Sequence, residues 1–105
     1  MDAFRIALSG LRSATTGVAV SANNVANLQS KDYRAKRLDL EEQPEGGVRP
    51  SKLTESAEPV NPGGSNVDLA TEFTNLLVYE FAYKSNLKVI QAEGERLRNI
   101  LDIKA

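Results

Sequence analysis

Cysteine and histidine are both missing from this sequence. Their absence excludes disulfides, thiol chemistry, the common zinc sites and the side chain that most often serves as a general base. The seven glycines do not spell a phosphate loop, and nothing suits a catalytic triad. The chain is therefore expected to be no enzyme and to need no cofactor or metal. Charge of one sign is also missing: the formal net charge is -1 over 105 residues, which argues against nucleic acid or an acidic membrane as the main partner. A long apolar run is absent too. Residues 1–20 lack the continuous apolar core of a secretion signal. The uncharged run from Ser13 to Ser30 holds three asparagines, three serines, two threonines and one glutamine, too polar for a membrane span.

Proline is absent from both ends. Pro44, Pro50, Pro59 and Pro62 fall together with the pairs Gly46-Gly47 and Gly63-Gly64 in the middle of the chain. Proline inside a helix costs about 3 kcal/mol, so this partition predicts helix, irregular connector, helix. The segments are 1–30, 31–64 and 65–105, together one domain. The expected fold is mainly α, with the two terminal helices paired as a coiled-coil hairpin or swapped between chains. Within the connector, Tyr33–Leu40 and Val48–Thr54 could form a short β-hairpin.

In the first helix Phe4, Leu11, Val18 and Val25 recur every seven residues. Ala7, Ala14, Ser21 and Leu28 follow at i+3, and Leu8, Thr15 and Ala22 at i+4, which is a coiled-coil stripe with many small members. Gly10 and Gly17 border it, where the lack of a side chain lets another backbone come close. The remaining face, with Ile6, Ala19, Val20 and Ala26, is uncharged beyond Arg12. Such a helix suits burial on several sides; the plainer reading is an ordinary but poorly soluble one.

The second helix is expected to start near Asp68, a good N-cap, with Glu72 suiting the helix dipole. Its seam runs Leu69, Phe73, Leu76, Glu80, Tyr83, Leu87, Ile90, Gly94, Leu97, Leu101 in alternating steps of four and three. Glu80 and Gly94 break that seam, and such breaks set register or make room for a neighbour. Around Leu76–Tyr83 the helix is apolar nearly all round, which asks for more than one partner. Phe4, Leu8, Leu11 and Val18 are expected to pack against Leu76, Tyr83, Leu87, Ile90 and Leu97. In the connector, Lys31, Arg34, Lys36 and Arg37 precede Asp39, Glu41, Glu42 and Glu45, an order that suits either docking between copies or local pairs on a solvated loop.

The stretch Ser21-Ala22-Asn23-Asn24-Val25-Ala26-Asn27, preceded by Ala7-Leu8-Ser9-Gly10-Leu11, resembles the N-terminal signature of bacterial flagellar axial proteins, the rod and hook subunits. Ser65-Asn66-Val67-Asp68-Leu69-Ala70-Thr71-Glu72-Phe73, continuing through Ala82-Tyr83-Lys84-Ser85-Asn86 and Val89-Ile90, is similar to the same family's C-terminal motif. After its Asn-rich run that family carries a turn like Thr-Pro-Gly-Tyr; here Ser30-Lys31-Asp32-Tyr33 stands in, with the Tyr kept. In layout the chain is closest to the short proximal-rod proteins, with no room between the helices for a large outer domain.

The resemblance implies a structural subunit of the basal-body rod that polymerises through its terminal helices. It implies export through the flagellar type III apparatus without a cleaved signal, and a place on the periplasmic side. Partners would be further copies and other rod and hook proteins, with no nucleic acid. The asparagines Asn23, Asn24 and Asn27 would lie outside the hydrophobic stripe, bonding laterally without the cost of a buried charge, or would simply end the helix. A competing reading is a helical adaptor or export cofactor that binds rod proteins without polymerising; it should show one sticky face, not several.

Overall fold

The computed structural model describes residues 2–104. Helix α1 spans Asp2–Ala26, strands β1 and β2 span Lys36–Glu42 and Val48–Glu55, and helix α2 spans Leu69–Lys104. The expected order of helix, short β-hairpin and helix is therefore present. The molecule is a rod of 67 × 25 × 14 Å with a radius of gyration of 18.1 Å, against about 13 Å for a compact domain of this length.

The two helices pair antiparallel within one chain, and the row that joins them is made of small residues. A Cβ on Gly10 would fall 2.6–2.8 Å from the Asn86 amide, and one on Gly17 would collide with the Tyr79 ring. Asn24 bonds to Glu72. Each seven-residue step up α1 is thus matched by a seven-residue step down α2. The buried residues of α1 are Ala7, Ser13, Ala14, Gly17, Ser21 and Asn24. Small side chains bring the backbones together, and the dispersion gained by close approach replaces interdigitated large side chains.

This corrects the expected seam. Phe4 and Val18 remain exposed, while Leu8, Leu11 and Val25 are half-buried at its edge. On α2 the half-buried members are Leu76, Leu87 and Ile90, whereas Leu69, Phe73, Tyr83, Leu97 and Leu101 are exposed. The facing row of α2 is Glu72, Tyr79, Asn86 and their neighbours, so Glu80 and Gly94 do not interrupt it. Glu80 is exposed and paired with Lys84 at 2.8 Å, and a Cβ on Gly94 would meet nothing within 4 Å. The small members of the expected α1 stripe, Ala7, Ala14 and Ser21, are buried in the seam, and its large members sit at or beyond the edge.

The hairpin lies along a second side of α1. Its ladder runs from Lys36↔Glu55 to Glu42↔Val48, with an irregularity between Asp39 and Leu40. Pro50, which has no N–H to donate, is tolerated in β2 beside that bulge. Gly46 and Gly47 turn the chain with φ of 96° and 92°, and Cβ atoms there would strike Ile6 and Ser9 of α1. The tip is held by Arg5, which donates to the carbonyls of Glu45 (2.6 Å) and Gly46 (3.3 Å), and by the Val48 amide donating to Ser9 Oγ at 3.1 Å. A lone two-stranded hairpin is marginal in water, so α1 is its support. β1 begins later than the expected Tyr33 because Tyr33 and Ala35 are bonded to residues outside the ladder, while β2 begins at Val48 as expected.

Candidate assembly site

The Asn-rich end of α1 answers to the start of α2 through a polar clasp. Asn24 is fully buried on the seam itself, contrary to its expected place outside the hydrophobic stripe. Its Nδ2 donates to the Lys36 carbonyl (2.7 Å) and to Glu72 Oε1 (3.1 Å). Its Oδ1 accepts from the Tyr33 hydroxyl (2.8 Å) and the Lys36 amide (2.9 Å). An amide suits this position because it is donor and acceptor at once and carries no charge. Tyr33 is the residue shared with the Thr-Pro-Gly-Tyr turn of the family that the sequence resembles. Asp32 before it takes a φ of 60°, the left-handed conformation that glycine would adopt most easily and that Asp tolerates better than most residues. Asn27 follows the last helical residue; its amide donates to the Asn23 carbonyl at 2.8 Å, and Asn23 donates to Tyr33. Asn27 closes the helix while Asn24 joins three elements.

The matching motif before α2 completes the clasp. Ser65 Oγ donates to the Leu28 carbonyl at 2.6 Å and accepts from the Val67 amide at 3.1 Å. Asn66 Oδ1 accepts from the Ala35 amide at 2.6 Å while its Nδ2 donates to the Glu58 carbonyl at 2.9 Å. Val67 is buried beneath them. Asp68 caps α2, accepting from the Ala70 amide at 3.2 Å and the Thr71 hydroxyl at 2.9 Å, as expected of an N-cap. Sequence motifs separated by about forty residues thus meet at one end of the rod.

The seam holds a buried carboxylate, Glu72. Burial, and secondarily the nearby Glu72 charge, pushes the Tyr79 hydroxyl above its ordinary pKa. In the hairpin, the Thr54 hydroxyl bonded to Asp39 at 2.6 Å, aided by Arg37, holds that carboxyl below its usual range despite some desolvation. Arg37 pairs with Asp39 and Arg49 with Glu41, so the basic and acidic runs of the connector meet locally within the hairpin.

What remains outward is apolar on several sides. Phe73, Leu77 and Phe81 recur every four residues along α2 and are 53–72% exposed. Val78 and Val89 are exposed beside them, and Phe4, Ile6 and Val18 are exposed on α1. Continuing the register places Asp2 opposite Gly94, so α2 runs on past α1 with Leu97, Ile100, Leu101 and Ile103 uncovered. No described helix is long and apolar enough to cross a membrane. Such surface on a monomer marks an interaction site. Sequence reasoning missed Glu72 and Tyr79 as seam members, and Arg5 and Ser9 as anchors of the hairpin. The seven-residue spacing of Gly10, Gly17 and Asn24 was the available signal for the first pair.

Residues 63–103 match the family model of the flagellar basal body rod FlgEFG protein C-terminal. The matched segment contains the second of the two motifs, Ser65–Phe73 and its continuation to Ile90, and is similar to that family's C-terminal region. No curated protein matches the chain.

Proposed function

We propose that this protein is a rod subunit that polymerises into the flagellar axial structure through the outer faces of its helical hairpin. The observation that carries this is the distribution of exposed apolar side chains: Phe73, Leu77 and Phe81 on α2, and Phe4 and Val18 on α1, after the intrachain seam has been filled. A non-polymerising adaptor needs one sticky face. A subunit packed in a tube wall meets neighbours on several sides, and contacts that repeat head to tail generate helical assemblies. The clasp of Ser21, Asn23, Asn24, Asn27 and Ser65–Asp68 sets the helix register, so that each copy presents the same surfaces.

The same reading has the chain reach the periplasmic side unfolded through the type III export apparatus, without a cleaved signal. A small core makes that passage easier: the buried apolar residues described are Ala7, Ala14, Leu38 and Val67. Replacing Leu77 by Glu would test the proposal, because the side chain is 68% exposed in the monomer and folding should not suffer. A strain with that substitution should make and export the chain yet fail to complete its rods; normal rods and swimming would refute polymerisation through this face.

A further inference from the structure

A groove of about 600 Å³ lies where α1 meets the hairpin tip, with Arg5, Leu8, Ser9, Arg12, Ser13 and Val48 on its walls. Its charge is not neutralised. Arg5 donates to two backbone carbonyls, neither of which cancels its charge. The Arg12 guanidinium makes no hydrogen bond or ion pair among the described residues. Arg49 on the rim is already paired with Glu41, and the other acidic residue at the groove is Glu45. Ser13 is 2% exposed, and its hydroxyl has no partner. The threonines that follow it, Thr15 and Thr16, do bond back to helix carbonyls, at 2.9 and 3.1 Å. A buried donor left unpaired is costly, and here it sits in a groove that is otherwise cationic. The geometry calls for an acceptor that carries negative charge.

The complementary feature is on the overhanging end of α2. Glu93 there is paired with Arg96, but Glu95 and Asp102 are exposed and have no ion-pair partner among the described residues. They lie seven residues apart, as do Arg5 and Arg12, and seven residues of helix rise about 10.5 Å. Arg98 lies between Glu95 and Asp102 on the same face, Leu97 and Leu101 are exposed on other sides of the overhang, and Leu8 and Val48 offer half-buried apolar surface in the groove.

We propose that the groove receives the α2 end of a second copy of this chain, with Glu95 against Arg12, Asp102 against Arg5, and the Ser13 hydroxyl as a further donor. The arriving helix runs antiparallel to α1, as the chain's own α2 does. A head-to-tail assembly along the rod axis keeps like helices pointing the same way, whereas a two-fold dimer would reverse them. This inference rests on the polymer-subunit reading and specifies one contact within it.

The absence of cysteine makes the contact directly testable. Within one chain, the helix register puts Arg12 opposite Lys84, eleven residues and about 16 Å from Glu95, beyond the reach of a disulfide. Any bond between cysteines at these two positions must therefore join two chains. One preparation carrying Arg12→Cys and another carrying Glu95→Cys are mixed at high concentration and mildly oxidised, and the same pair is co-expressed and oxidised in purified basal bodies. The expected result is a covalent dimer of the two variants, formed about tenfold faster than with Arg5→Cys in place of Arg12→Cys, and slowed by added salt. Both replaced side chains are exposed, so folding is checked simply by circular dichroism. Yields no higher than with a Glu58→Cys control, or equal yields from the Arg5 and Arg12 positions, would overturn the contact. So would a bond from Arg12→Cys to a different rod protein in basal bodies that hold no dimer of this chain. If the chain is present in basal bodies but the dimer is not, the groove contact falls alone; if the chain is absent from them, the polymer-subunit reading falls with it.

Discussion

Asn24 carries more of the fold than any large side chain. Replacing it by Leu keeps the volume but strands the Glu72 carboxylate, the Tyr33 hydroxyl and both backbone groups of Lys36. The expected loss is about 3–5 kcal/mol, read from urea unfolding, since each buried group left unpaired costs about 1–3 kcal/mol. Asn24→Asp should be harmful in a pH-dependent way. The new carboxylate would face Glu72, and like charges raise the pKa of one member of the pair in the folded state. A group raised on folding contributes stability below its unfolded pKa and loses it as pH rises through the folded value. The gap to wild type should therefore narrow as pH falls from about 7 to about 4.

Two glycines test close packing at the same scale. Gly17→Ala should destabilise, because its Cβ would enter the Tyr79 ring and either the ring or the helices must move. Gly94→Ala should stabilise by about 0.5–1 kcal/mol, since the site is open and Ala is the better helix former. Melting curves of the two variants should move in opposite directions. Tyr79 itself gives an alkaline signature. Its raised pKa means that stability is complete below the unfolded value near 10 and is lost as pH rises through the folded value. Tyr79→Phe should remove that part of the alkaline slope and leave the acid limb unchanged.

Among the elements, the β-hairpin depends on α1 for its place. Ser9→Ala removes the acceptor of the Val48 amide, and hydrogen exchange at Val48 should quicken while amides in the middle of α2 stay unchanged. Uniform acceleration across the chain would show instead that the hairpin and helices unfold as one unit. The element order was legible from proline placement and from the seven-residue spacings, because a helix excludes proline wherever it packs. The start of α2 was legible from Asp68. The facing sides were legible only in part, through Ala7, Ala14 and Ser21. Periodicity reports that a helix has distinct faces, but Phe4–Val25 and Gly10–Asn24 share the same seven-residue period, and only the packed structure decides which row is inside. Close backbone approach favoured the glycine row, leaving the large residues outward. The clasp was half legible: its residues stood out as motifs, but the joining of Asn24 to Lys36, Tyr33 and Glu72 depends on a turn that composition does not specify.

At the scale of the whole molecule, a rod 67 Å long and 14 Å thin has little interior and much surface. Its outward Phe73, Leu77 and Phe81 would be a liability in a free monomer and an asset in a crowded wall. In the proposed assembly the intrachain hairpin is the unit of defined register, and the exposed rows are the surfaces that would meet neighbouring units. Association of the purified chain should therefore increase with concentration, and Phe81→Glu should suppress it while leaving helicity intact. Polymerisation is tested most directly by quantitative mass spectrometry of purified basal bodies from cells that make the chain, comparing wild type with Phe81→Glu. Wild-type chain should be present in a fixed ratio to the other rod proteins, and the variant should be lost from basal bodies although it is still made and folded. Absence of the wild-type chain, or undiminished incorporation of the variant, would contradict polymerisation.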